Sequence, residues 1–167
     1  YNNLLYVTVG DGYNFNNGQD INSSNGKIIR MTLDGKPSNS NPFYVDDGKT
    51  RARDYVWAYG FRNPFGLKIV DGRIFISENG NSSDRFLEVR EGENYLWNGM
   101  DWSIGTKAAI VFAPSVCPVQ LDFYPESLEN FPDELRGKFY LVLSGELKTI
   151  GPDLHGSKSI VILDYGF

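Results

Sequence analysis

Four stretches carry side chains whose types could do chemistry rather than packing. Gly-Asp-Gly at 10–12 places Asp11 directly behind an apolar run. Arg62 and Asn63 stand before Pro64, at a break between two β-rich runs. Glu78-Asn79-Gly80-Asn81 closes a further run, with Asp84 just beyond it. Lys148 follows a late β-rich run, and His155, the single histidine, lies in a Gly/Pro loop where it reads as a surface residue. A guanidinium is permanently charged and presents a rigid fork of donors, which suits planar, oxygen-bearing ligands. Plainer readings stand beside these. Arg-Asn-Pro also serves as a structural corner whose guanidinium bonds carbonyls, and Gly-Asp-Gly is ordinary turn chemistry. The 78–84 stretch reads equally as a solvated loop, with Asn81-Ser82-Ser83 as a glycosylation acceptor if the protein is secreted by a eukaryote.

These residues sit in loops, and loops hold chemistry when a rigid frame positions them. The frame here reads as β structure. The 167 residues include 10 Tyr, 11 Phe, 18 Gly and 8 Pro, a composition suited to strands and turns. Apolar residues alternate (Leu67, Ile69; Ile74, Ile76; Phe86, Val89), and each run closes on Gly, Asp or Asn. That pattern predicts short strands with one buried face, and Asp71-Gly72 predicts a hairpin. Strands are expected near 4–9, 27–33, 66–70, 73–78, 85–90, 119–124, 138–143 and 159–164. The stretch 127–137 predicts one or two helical turns, interrupted at Pro132. Cys117 is alone and flanked by Val116 and Pro118, an inert buried thiol with no disulfide partner in the chain. A net charge of −5 without a Lys/Arg stripe argues against nucleic acid. No apolar run approaches a membrane span.

Self-comparison shows one layout three times. LLYVTVGDG (4–12) leads to GKIIRMTLDG (26–35), RIFISENG (73–80) to DRFLEVREG (84–92), and KFYLVLSGE (138–146) to SKSIVILDYG (157–166). The second and third copies have a strand in front, GLKIV (66–70) and VQLDFY (119–124), which the first lacks. Recurring antiparallel units of this kind are blades of a β-propeller; stacked sandwiches are the rival arrangement. Fewer than three full blades cannot close a ring, so the expectation is a fragment, or a chain packed against further blades or other chains.

The order VGDG (9–12), GKIIRMTLDG (26–35), NPF (41–43), WAYGFRNPFGL (57–67), ENG (78–80) and ENYLW (93–97) resembles one family. It is that of the pyrroloquinoline-quinone (PQQ)-dependent sugar dehydrogenases of glucose/sorbosone type, which are six-bladed β-propellers. APSVCPVQLDFY (113–124), FPDELRGKFYLVLS (131–144) and SIVILDY (159–165) resemble that family's penultimate blades. The resemblance implies an all-β, partial six-bladed propeller of about two and a half blades, as one incomplete domain with units near 1–55, 56–112 and 113–167. It implies that Arg62 and Asn63 bind the quinone, with Asn79 and Lys148 as further cofactor contacts. Backbone carbonyls at Gly80 and Asn81 match the loop that holds a cofactor-linked Ca²⁺, and Asp84 falls where relatives often have one of two adjacent acids, the next residue here being Arg85. Asp11 matches the aspartate that orients the catalytic histidine, which is expected upstream of this chain.

The implied activity is oxidation of a sugar hydroxyl by hydride transfer to PQQ, with a small sugar as partner and a periplasmic or extracellular location. Tyr95, Trp97 and Trp102 read either as sugar-stacking rings or as blade packing. The alternative to an enzyme is a non-catalytic extracellular binding propeller of the same superfamily. Ca²⁺-dependent lactonase propellers need in-plane carboxylates and usually a histidine pair, more than this chain offers.

Overall fold

The β-rich runs pair into three antiparallel sheets in a computed structural model that describes residues 1–145 and 158–166. The first sheet joins β1 (Leu4–Val9), β2 (Lys27–Thr32) and β3 (Val56–Tyr59), in that order. The second runs β4 (Pro64–Val70), β5 (Arg73–Glu78), β6 (Asp84–Val89) and β7 (Ile110–Phe112). In the third, β9 (Lys138–Leu143) lies between β8 (Pro118–Tyr124) and β10 (Ser159–Leu163). Helix among the described residues is confined to single turns: α1 (Asn16–Gln19), α2 (Ala52–Tyr55), α3 (Asp101–Ile104) and a 3₁₀ turn at Asp133–Leu135. The turn expected in 127–137 is that 3₁₀ segment, starting directly after Pro132.

Two strands lie outside the expected ranges, one of them the β-rich run ahead of Arg62. Val56–Tyr59 pairs with β2, so the first sheet extends past residue 55 into the stretch assigned to the second unit. Ile110–Phe112 pairs with β6 and completes a four-stranded sheet. Asp71 (φ 48°) and Gly72 (φ 80°) both adopt the left-handed conformation that a two-residue hairpin needs, joining β4 to β5.

The expectation of one buried face per strand fails for the middle sheet, for a simple reason: it has a neighbour on each side. Ile74, Ile76, Leu87 and Val89 pack with Ile28, Trp57, Ala58 and Phe61 of the first sheet and its following loop. From the opposite face, Phe75 and Phe86 pack with Leu121, Phe139 and Leu141 of the third sheet. Phe75 and Phe139 lie 4.6 Å apart between ring centres. Three sheets stacked face to face therefore share two cores. The outer sheets show a different outward surface: Leu5 and Val7 of β1, and Val142, Ile160 and Ile162 of β9 and β10, stay exposed.

Pro64 opens β4 and has no N–H for the ladder, and the β4–β5 register shifts between Pro64 and Leu67. Gly66 N–H turns instead to Ser77 Oγ at 3.1 Å. This irregular start puts Arg62 and Asn63 in a loop at the sheet edge.

Candidate active site

Three strand ends meet around that loop. Asp11 N–H, beyond β1, donates to the Arg62 carbonyl at 2.6 Å, and Asn79 N–H, beyond β5, donates to the Asn63 carbonyl at 3.1 Å. Gly10, Asp11, Gly12, Tyr13, Arg62 and Asn63 line a cavity of about 310 Å³. That volume is at the lower end for small-molecule sites, about 300–1,000 Å³. A larger groove of about 1,100 Å³ contains Lys68 and Asp122 but none of the candidate site residues named from the sequence. Those two side chains already pair with each other at 2.5 Å.

Arg62 is fixed from several directions. Its backbone N–H donates to the Glu78 carboxylate, and its Nη1 donates to the Asn79 carbonyl at 2.8 Å. The guanidinium carbon stands 6.0 Å from the centre of the Trp97 ring, within cation–π range. Among the described residues one of the five guanidinium N–H donors is engaged, with Asn79, and half-buried Arg62 lines the cavity with further donors to offer a ligand. Asn79 lies beside it and is buried, yet its Oδ1 has no hydrogen-bond partner among the described residues. A buried amide oxygen without a donor costs free energy, so it marks a place where a ligand group or cation would be favourable.

Asp11 is buried with both carboxylate oxygens engaged. Oδ1 accepts from Tyr13 N–H at 3.0 Å, and Oδ2 accepts from the Trp97 indole N–H at 2.8 Å. Asn17 Nδ2 donates to the Asp11 carbonyl at 2.8 Å. The loop that carries Asn17 is itself pinned by Lys27, whose buried Nζ donates to the carbonyls of Asn17, Gly18 and Asn25. Burial lowers the Lys27 pKa to about 8, with Asp20 opposing that shift.

The loop 78–84 is tight. A Cβ at Gly80 would overlap the Ser83 carbonyl oxygen, and Gly80 N–H donates to Asp84 Oδ1 at 2.9 Å. Asp84 Oδ2 accepts from Ser115 Oγ and from the N–H groups of Val116 and Cys117, each at 2.7 Å. Asn81 is exposed. Among the described residues no group of three or more His, Cys, Asp or Glu is placed to hold a metal.

The structure thus brings Asp11, Arg62, Asn63 and Asn79 to one place, with Gly80 and Asn81 in the adjoining loop. Lys148 and His155 lie outside the described residues. Tyr95 is core: it stacks on Phe61 at 5.0 Å, and burial pushes its hydroxyl pKa up to about 12. Trp97 is 2% exposed and turned inward, whereas Trp102 is 64% exposed. Neither the Trp97–Asp11 bond nor the burial of Arg85 against Glu78 was visible in the sequence. The first spans 86 residues, and the second depends on two strands pairing.

The family model for glucose/sorbosone dehydrogenase matches residues 1–141. The chain belongs to that family. It is 30% identical over 103 residues to the aldose sugar dehydrogenase YliI of Escherichia coli K12, covering 60% of this chain and 27% of that protein. Two solved structures share the fold. The apo-form soluble aldose sugar dehydrogenase of E. coli superposes with a TM-score of 0.71 at 20% identity, over 84% of this chain and 45% of that one. The PQQ-bound aldose sugar dehydrogenase of Streptomyces coelicolor gives 0.61 at 24% identity, over 96% of this chain and 45% of that one. The chain thus spans about a quarter of its curated relative and under half of these structures. Its three sheets are part of an all-β propeller.

Proposed function

We propose that this chain is part of a quinoprotein sugar dehydrogenase that oxidises an aldose or sorbosone-type hydroxyl, with PQQ held by Arg62, Asn63 and Asn79. The observation that carries this reading is the meeting of Asp11, Arg62 and Asn63 at one cavity, with Asn79 tied to it through the Arg62 Nη1 bond to its carbonyl. The residues fit the cofactor. A tricarboxylate with adjacent quinone oxygens is the kind of planar acceptor that an arginine fork and two amides recognise. Lys148 would add a further basic contact. Bound PQQ supplies the two-electron acceptor for a hydride leaving the sugar carbon.

The loop 78–84 also fits Ca²⁺ through neutral oxygens. Glu78 and Asp84 are engaged by N–H and O–H donors, so the Gly80 and Asn81 carbonyls, with the cofactor's own carboxylates, would be the oxygens offered to a hard cation. Asp11, held rigidly, would orient a general-base histidine contributed from outside this chain and fix its tautomer. Further blades of the same propeller would cover the apolar outer faces at Leu5, Val7, Val142, Ile160 and Ile162. The location that suits such a protein is the periplasm or the cell exterior.

The test is a titration of the full-length apo-protein with PQQ, with and without Ca²⁺, followed by tryptophan fluorescence and then by dye reduction with a panel of aldoses. Saturable binding with sugar-dependent dye reduction is expected. A folded wild-type protein that binds no quinone would instead favour the non-catalytic extracellular binding propeller.

A further inference from the structure

Trp97 makes contacts that ordinary core packing does not require. Its N–H donates to the Gly60 carbonyl at 3.0 Å, and its carbonyl accepts from Gln19 Nε2 at 2.8 Å. The ring edge lies against Gly18, where an added Cβ would sit 3.1 Å from Trp97 Cδ1. The preceding Leu96 has φ 67°, a left-handed conformation costly for a side chain of its size, and Asn94 Oδ1 accepts its N–H at 2.8 Å. A strained residue held by its neighbour's side chain thus delivers the indole to one place, with the N–H on Asp11 Oδ2 and the ring face under Arg62.

We propose that Trp97 is the positioning residue of this site, its indole N–H fixing the Asp11 carboxylate while its ring face supports the Arg62 guanidinium. One side chain then sets the spacing between the acid that orients the base and the cation that binds the cofactor. The two functions are separable because they use different parts of the ring. Trp97→Phe keeps an aromatic face for Arg62 and removes the donor to Asp11. Trp97→Ala removes both. The role assigned to Asp11 and Arg62 rests on the quinone reading above, but the contact to Asp11 can be tested apart from it.

The experiment uses full-length ¹⁵N-labelled protein and PQQ as the probe. Trp97→Phe identifies the Trp97 indole N–H signal by its disappearance, and Asp11→Ala in the wild-type background should then move that signal upfield while the Trp57 and Trp102 signals stay in place. PQQ affinity of Trp97→Phe should remain within about threefold of wild type, while kcat falls about ten- to a hundredfold, the range typical for losing an orienting partner. The pH profile of kcat should shift with it, and Trp97→Ala should lose affinity as well. An indole signal indifferent to Asp11→Ala overturns the proposal, even if Trp97→Phe proves unstable. Unchanged kcat and pH profile in a folded Trp97→Phe overturn it too. Failure of wild type to bind PQQ removes the quinone reading and with it the assigned role, leaving the indole signal to report the contact alone.

Discussion

Glu78 and Arg85 form an ion pair at 2.6 Å with both side chains wholly shielded from solvent. The second Glu78 oxygen accepts the Arg62 backbone N–H, so the pair is anchored to the corner that carries Arg62 and Asn63. Arg85 also donates to the carbonyls of Gly60, Tyr95, Ser103 and Thr106, which joins the corner to the aromatic segment and to α3. An arginine beside a loop of acids looked like the loss of a charge. It is the counter-charge that lets Glu78 be buried.

Arg85→Met should therefore be severely destabilising. It leaves the Glu78 charge without its counter-ion in the core and takes the Arg85 donor from the Tyr95 and Thr106 carbonyls, whereas Gly60 keeps the Trp97 N–H and Ser103 the Thr106 N–H. Breaking a buried pair from one side costs about 3–5 kcal/mol. Urea unfolding of the full-length protein would read this as a lowered midpoint. A Glu78→Leu/Arg85→Met double variant should recover only part of this, because the Tyr95 and Thr106 carbonyls still lack the Arg85 donor and the Arg62 N–H loses its Glu78 acceptor.

Asp84 ties β6 to the segment entering β8, so its removal should loosen two sheets at once. Asp84→Asn keeps the shape but removes the charge and turns one acceptor into a donor facing donors. The expected loss is about 1.5–3 kcal/mol, the worth of hydrogen bonds to a charged group. Ser115→Ala, which removes one of the four contacts, should cost less, about 1 kcal/mol. Equal losses from both variants would count against this account.

Most of the frame was legible in the sequence because alternation and turn residues report local geometry. Eight strands fall where alternation places them, and Asp71-Gly72 turns as a hairpin dipeptide should. Val56–Tyr59 and Ile110–Phe112 escaped because neither run is long enough to show a period. Each becomes a strand through its partner, β2 or β6. The burial of both faces of β5 depends likewise on neighbouring sheets. At the site, family motifs marked Asp11, Arg62, Asn63 and Asn79. The residues that hold them (Trp97, Glu78, Arg85 and Lys27) look like core or surface until the fold brings them together.

Lys27 should leave a signature in alkaline stability. Its folded pKa is lowered to about 8, against an ordinary 10.5, because burial penalises the ammonium. Below about pH 8 both the folded and unfolded chains carry the proton, and the penalty on the fold is complete. Between 8 and 10.5 the unfolded chain binds more protons, so this group's contribution to stability rises with pH. Above that range the penalty has been relieved. Stability measured from pH 7 to 10.5 should therefore improve in wild type relative to Lys27→Met. A parallel pair of curves would show that Lys27 titrates normally.

Arg62 itself gives the sharpest functional prediction. The guanidinium holds one N–H on the Asn79 carbonyl and lies over the Trp97 ring at cation–π distance, so the rest of the fork is presented in a fixed direction before any ligand arrives. Such preorganised donors are worth about 2.7–4 kcal/mol to a reaction, a hundred- to thousandfold in rate. Arg62→Ala in the full-length protein should lose PQQ affinity and turnover together. Arg62→Lys should rescue poorly, because an ammonium cannot keep the Asn79 contact, the Trp97 contact and the fork at once. Fluorescence titration with PQQ separates affinity from rate, and saturating cofactor then isolates kcat. A lysine variant with near wild-type kcat would mean that positive charge alone suffices, and the fork would no longer explain the site.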